Sequence, residues 1–352
     1  LGETPILRNK DWPATTVEAA FHPTNHSLIC GMPDGTVRIW SIAQGKWLGL
    51  QTIHNAPGPF RINDLSISSE GARMLVSDAS GSVRLYAIRF LGDSCVIDDE
   101  RMLVQYPRFA GILVSAHAQF ASTGDLVLTS KDVSERDAEL WDSRSLQKLT
   151  SWTNLAFLPQ FANRGRYVLG LSEDGQVRVV QPQSQLCEEY RRDRMGWIED
   201  MAWAKDGQIL IRHRINGKLV VSGWDPHSDE SENIPSDDFC VLDSISDHPA
   251  MIVEKSGTLH FVDSRTPRHE QPLCRAKDVD GVAFNGKEGL VAARLLNGAF
   301  RIWDAKTGGE RATPKGANPY FPSLQFSPNG KLLCWLNEPH NERGEFGAYL
   351  WN

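Results

Sequence analysis

Short apolar runs separated by turn residues cover the chain from end to end. No run keeps a 3.6-residue period, so strands are expected almost throughout and helix hardly at all. The runs group into a recurring unit. Its first strand is typified by Ile62-Asn63-Asp64-Leu65-Ser66-Ile67 and Ile198-Glu199-Asp200-Met201-Ala202-Trp203. A Gly-bearing turn such as Ser327-Pro328-Asn329-Gly330 follows, then a second apolar run: Met74-Leu75-Val76, Leu126-Val127-Leu128, Tyr167-Val168-Leu169 or Ile209-Leu210-Ile211. Runs this short, bounded by turns, predict strands buried on both faces. An Asp-, Asn- or Ser-Gly turn comes next, a hairpin signal because glycine accepts a positive φ with no Cβ in the way.

The third strand is the most regular phrase. Asp34-Gly35-Thr36-Val37-Arg38-Ile39-Trp40 and Asn297-Gly298-Ala299-Phe300-Arg301-Ile302-Trp303 are nearly the same text, and weaker copies occupy 80–86, 174–180, 216–222 and 256–262. The closing positions read as Trp40, Tyr86, Trp141, Val180, Ser222, Val262, Trp303 and Trp351. A second landmark ends each first strand: Phe21, Ile67, Phe120, Phe161, Trp203, Ile245, Phe284 and Phe326. Two landmarks keeping step eight times predict eight copies of one supersecondary unit. The unit boundaries fall near 12–54, 55–112, 113–154, 155–196, 197–238, 239–277, 278–319 and 320–352.

These phrases resemble the WD-repeat family, with Phe326-Ser327-Pro328-Asn329-Gly330 and the Asp34-Gly35…Trp40 phrase standing nearest its consensus. The resemblance covers essentially the whole chain. It implies an all-β, closed β-propeller of eight four-stranded blades forming a single domain over 1–352, with seven blades as the alternative if the sixth unit is irregular. Residues 1–11 are then expected to complete the last blade, removing exposed sheet edges. Phe21-His22-Pro23 and Ser27-Leu28-Ile29-Cys30-Gly31 further resemble degenerate propellers of fungal NACHT-type signalling proteins, where the propeller is a C-terminal sensor. The start, Leu1-Gly2-Glu3-Thr4, has neither an initiator Met nor a signal-peptide core, so a piece of a longer multidomain protein is expected.

The chain also departs from the family. The Gly-His pair before the first strand is missing, so the family's Trp-Ser/Thr-Asp-His network is not expected intact. The fourth to sixth units end on Val180, Ser222 and Val262 in place of Trp. Trp224-Asp225 stands two residues beyond the fifth closing position, which points to a bulge or a shifted alignment.

Charge and composition narrow the function. A net charge of −7 argues against the clustered cations that a nucleic-acid backbone requires. No apolar stretch approaches the ~20 residues of a membrane-spanning helix. The six cysteines are scattered without metal-ligand spacing, as in reduced intracellular proteins, so a cytoplasmic or nuclear location is expected. There is no phosphate-binding loop, nucleophile elbow, HExxH or EF-hand. Polar residues on first strands, which would line a propeller's channel, are Asp64, His117, Glu199, Asp200 and Asp280. They allow an alternative reading as an enzyme or metal site, against the simpler role of satisfying backbone amides.

The favoured reading is a scaffold with no cofactor and no catalytic residues, binding a protein or peptide through one face. Loops before first strands, and between second and third strands, share that face. Arg61, Phe109, Trp197, Phe239 and Tyr320 stand there, residue types that anchor interfaces. Residues 92–112 read as a long connection, and 225–238 as a solvated acidic loop. A structural subunit of an obligate complex is the remaining alternative.

Overall fold

A computed structural model describes residues 18–32, 34–52, 62–107, 114–132, 136–155, 159–162, 167–171, 176–182, 186–191, 198–203, 209–215, 218–225, 231–235, 239–243, 250–255, 258–263, 270–275, 279–285, 288–295, 299–304, 307–312, 324–327, 331–337 and 347–351. Every regular element among them is a strand, and the strands form eight antiparallel sheets, each built from consecutive strands. Sheet 1 comprises Glu18–Phe21, Ser27–Gly31, Thr36–Ser41 and Lys46–Thr52. Sheet 2 comprises Ile62–Ile67, Arg73–Asp78, Ser82–Leu91 and Ser94–Gln105. Sheet 3 comprises Ser115–Phe120, Leu126–Asp132, Arg136–Asp142 and Lys148–Leu155. Sheets 4 to 8 run from Gln160 to Arg191, Ile198 to Pro235, Phe239 to Arg275, Val279 to Ala312 and Leu324 to Trp351. The last has three strands among the described residues; residues 1–11, offered above for its fourth, lie outside them. The chain divides into two compact units, Pro13–Glu189 with sheets 1–4, and Tyr190–Asn352 with Leu1–Trp12.

The repeat is a register of backbone pairs. One row crosses the first three strands of every sheet: Phe21–Leu28–Trp40, Ile67–Met74–Tyr86, Phe120–Val127–Trp141 and Phe161–Val168–Val180 in the first unit. In the second unit the row is Trp203–Ile209–Trp224, Leu242–Met251–Val262, Phe284–Val291–Trp303 and Phe326–Leu333–Trp351. Two sequence landmarks are corrected. Ser222 pairs with Ile211, and the closing residue of sheet 5 is Trp224, whose side chain is 1% exposed. The third strand there simply runs two residues further. In sheet 6 the row holds Leu242, and Ile245 lies outside the described residues.

The short second strands are apolar because both faces are covered. In sheet 2, Met74 and Val76 pack with Ile29, Val37 and Ile39 of sheet 1, while Leu75 packs with Val114, Ala116 and Val127 of sheet 3. Sheets 3 and 4 share Leu128, Leu140 and Val168 in the same way, and sheets 7 and 8 share Ile302 and Leu333. Side chains alternate across a strand, so a run that is apolar at every position serves two neighbours at once.

The residue after the closing position caps the third turn. Asp142 Oδ1 accepts from the backbone N–H of Arg144 and Ser145 at 3.1 and 2.7 Å. Asp304 Oδ1 accepts from Thr307 N–H at 3.0 Å, and Ser41 Oγ from Gln44 N–H at 3.2 Å. A short polar side chain that holds its own turn in this way is why Ser or Asp follows Trp. The connections read at 92–112 and 225–238 prove to contain outer strands, Ser94–Gln105 and Ser231–Pro235. Outer strands carry charge because one edge is left open, and this hides them from an apolar-run reading.

Candidate functional site

Polar side chains of the first strand of sheet 2 join it to sheet 3. Asp64 Oδ2 stands 2.8 Å from His117 Nδ1 and accepts from Ala118 N–H at 3.2 Å and Ser77 Oγ–H at 3.4 Å. Asn63 Nδ2 donates to Ala116 O at 3.2 Å, and Ser66 Oγ accepts from Phe120 N–H at 3.0 Å. The first strand of sheet 2 thus supplies side chains to the backbone edge of the first strand of sheet 3, where no further strand pairs. An unpaired buried peptide group is costly, so these bonds have a structural reason. Among the described residues no group of three or more His, Cys, Asp or Glu side chains is placed to hold a metal ion.

Three first strands also share a bulge that the sequence reading missed. Their ladders shift between Ile62 and Asp64, between Ile198 and Asp200, and between Val279 and Gly281. Asn63, Glu199 and Asp280 are the extra residues, so the last two enter the sheets as bulge positions. The signal is a β-branched residue, a polar residue, then Asp or Gly at the start of the strand. Bulges re-aim side chains and strengthen local twist.

Sheet 3 holds one limb of the hydrogen-bond network that was not expected intact. Trp141 Nε1–H donates to Thr129 Oγ1 at 3.0 Å, and the Tyr106 hydroxyl lies 3.0 Å from the same oxygen. Thr129 is fully buried, and burial pushes the Tyr106 phenol above its ordinary pKa, partly offset by the bond to Thr129. The phenol is therefore a neutral partner in this core.

Two further joints link the turns between first and second strands. His22, buried in sheet 1, lies with Nε2 2.7 Å from Gly71 O in sheet 2. Its Nδ1 accepts from Thr24 and Asn25 N–H at 3.3 and 3.1 Å, which makes Nε2 the protonated nitrogen. Burial lowers the His22 pKa, with the bond to Gly71 acting the other way. Arg73 of sheet 2 donates to Gly124 O and Ser143 O in sheet 3, each at 2.8 Å, and pairs with Glu70 at 2.7 Å. Its guanidinium also lies 5.5 Å from the Phe120 ring centroid. Beside Arg73, between the turns of sheets 2 and 3, lies a cavity of ≈ 500 Å³.

Of the predicted partner-binding residues, Arg61, Phe109, Trp197 and Tyr320 lie outside the described residues. Phe239 opens the first strand of sheet 6, its backbone opposite Glu254. The model of the WD domain, G-beta repeat family matches residues 11–41. No curated protein matches the chain. No helix among the described residues is long and apolar enough to cross a membrane.

Proposed function

We propose that this chain, which carries a WD repeat at residues 11–41 and is all-β with four-stranded antiparallel sheets, is a protein- or peptide-binding scaffold and not an enzyme. WD repeats generally act as protein-interaction scaffolds. In this reading the eight sheets are blades of one closed propeller over 1–352, residues 1–11 complete the eighth, and the domain works inside the cell as part of a longer protein. The loop-rich face, with Arg61, Phe109, Trp197, Phe239 and Tyr320, receives the partner. The observation that carries the scaffold reading is the common register of all eight sheets together with the use of Asp64 in sheet-to-sheet bonding. A polar inner-strand group committed to a neighbour's backbone supports a frame for loops over a reactive centre.

The test is affinity capture from native lysate, comparing the chain with an equally folded Arg61→Ala/Trp197→Ala/Tyr320→Ala variant. Partners captured by the first and lost by the second are the expected result. Partners kept by both would refute the choice of face. No partner for either would overturn the scaffold reading.

A further inference from the structure

Three large apolar side chains are exposed among the described residues, Leu91, Val96 and Met102, and all three lie on one hairpin. This is the outer hairpin of sheet 2, Ser82–Leu91 and Ser94–Gln105, whose second strand has 12 residues. Arg89 pairs with Val96 and Leu91 with Ser94. Residues two apart, and residues directly opposite, share a sheet face. Ala87, Val96 and Leu91 therefore form a strip on one face, with the Arg89–Asp98 ion pair between them. Met102 pairs with Arg84 and lies on the other face. Leu91 is 60% and Val96 36% exposed.

The strip leads into the cavity beside Arg73. Leu85 and Ala87 of the same face line it, with Leu146 and Thr123 from the turns of sheet 3. Two arginines lie at its edge. Arg101 pairs with Asp99 at 3.1 Å, an exposed contact that a stronger partner can replace. Arg144 makes no ion pair among the described residues, and its acidic neighbour Asp142 already accepts three bonds from its own turn. The remaining acid, Glu70, is held by Arg73. The strip is thus apolar at Leu91 and Val96, is crossed by the Arg89–Asp98 pair, and leads to a mostly polar cavity where Arg101 and Arg144 offer positive charge.

We propose that the outer hairpin of sheet 2 and the cavity at its root form one docking groove for an extended peptide segment of a protein partner. The segment carries apolar side chains that cover Val96 and Leu91 and a carboxylate that reaches Arg101 and Arg144. The strip from Ala87 to Leu91 spans ~13 Å at the rise of a strand, so with the cavity it holds roughly six to eight extended residues. A small molecule would fill the cavity and leave the strip wet, whereas an extended chain covers both. The groove is built from turns between first and second and between third and fourth strands, so it is separate from the loop-rich face proposed above.

The test uses an array of ten-residue peptides with Leu, Ile or Val at alternate positions and Asp or Glu at one end. Each has a twin carrying Lys in place of the acid. Binding is read by fluorescence polarisation against the chain, Arg144→Glu, Leu91→Ser and the Arg61→Ala/Trp197→Ala/Tyr320→Ala variant. All substituted groove residues are exposed, so these variants should melt with the parent. Acidic peptides should bind, their twins should not, and both groove variants should weaken binding about tenfold or more. The loop-face variant should bind unchanged. Equal binding of acidic and lysine twins, no binding, or binding indifferent to Arg144→Glu and Leu91→Ser overturns the groove. Peptides lost only in the loop-face variant would overturn it while upholding the loop-face reading.

Discussion

Replacing Gly71 by alanine tests the joint between sheets 1 and 2 most directly. Gly71 sits at φ +76, and an added Cβ would stand 2.3 Å from Cε1 and 2.6 Å from Nε2 of His22. Two costs follow. A left-handed backbone costs a residue with a Cβ roughly 1–2 kcal/mol. Displacing the imidazole leaves the buried Gly71 carbonyl and two turn N–H groups without their partner, roughly 1–3 kcal/mol more. The expected destabilisation is therefore about 2–5 kcal/mol, measured by urea unfolding. Two other glycines separate the costs. Gly45, at φ +62, has nothing within 4 Å of an added Cβ, so Gly45→Ala should show the backbone cost alone. Gly124, at φ +77, would meet the side chains of Glu70 and Ser69, which can swing aside, so Gly124→Ala should fall between. In His22→Ala/Gly71→Ala the clash is gone, and the pair should cost clearly less than the sum of its parts. If Gly71→Ala falls within about 0.5 kcal/mol of Gly45→Ala, the His22 joint contributes nothing and the reasoning fails.

Three more outcomes are expected. Burial holds the folded-state pKa of His22 below its ordinary value, so the unfolded chain takes up that proton first on acidification. Its contribution to stability is full above about pH 6.5 and falls below it, no more steeply than about 1.4 kcal/mol per pH unit. Urea unfolding of the parent and His22→Gln between pH 7.5 and 5.5 should show this slope only in the parent. Arg73→Met should cost roughly 1–3 kcal/mol by removing the charged donor from Ser143 O, while Gly124 O keeps the Ser143 hydroxyl, and Arg73→Lys should recover less than half because an ammonium cannot span both carbonyls, again by urea unfolding. Thr129→Val should cost about 1–3 kcal/mol by orphaning the Trp141 indole N–H and the Tyr106 hydroxyl, and Tyr106→Phe in that background should restore part of it, read as a thermal-melt shift.

Strands of this chain are legible where burial is two-sided, since Met74-Leu75-Val76 or Ile209-Leu210-Ile211 can be little else. Register is legible where the closing residue is large and in step. It slips in sheet 5, because Ser222 ends a good copy of the phrase while the strand runs on to Trp224. Outer strands are poorly legible, since Asp98-Asp99-Glu100-Arg101 reads as loop although it lies within the longest strand of sheet 2. The exposed groove on that hairpin is hidden for the same reason. The joints are not legible at all: His22 and Gly71, or Arg73 and Ser143, are paired by stacking of sheets and not by any spacing within a unit. The partner-face residues follow from residue type and loop position alone, and Arg61, Phe109, Trp197 and Tyr320 lie outside the described residues.

The turn joints have a direction. Sheet 1 offers a side-chain donor, His22, to the carbonyl of the positive-φ glycine of sheet 2, and sheet 2 offers Arg73 to the corresponding glycine of sheet 3. Sheet 2 thus presents a plug on one side and a socket on the other, a head-to-tail contact between unlike surfaces. Such a contact is indifferent to how many units stand in the row. Duplicating sheet 2 as a whole unit would leave each of its plugs facing a socket, and excising it would set His22 opposite Gly124. Cutting within it strands one of each. The segment from one turn glycine to the next, Gly71 to Gly124, is therefore one that can be gained or lost intact.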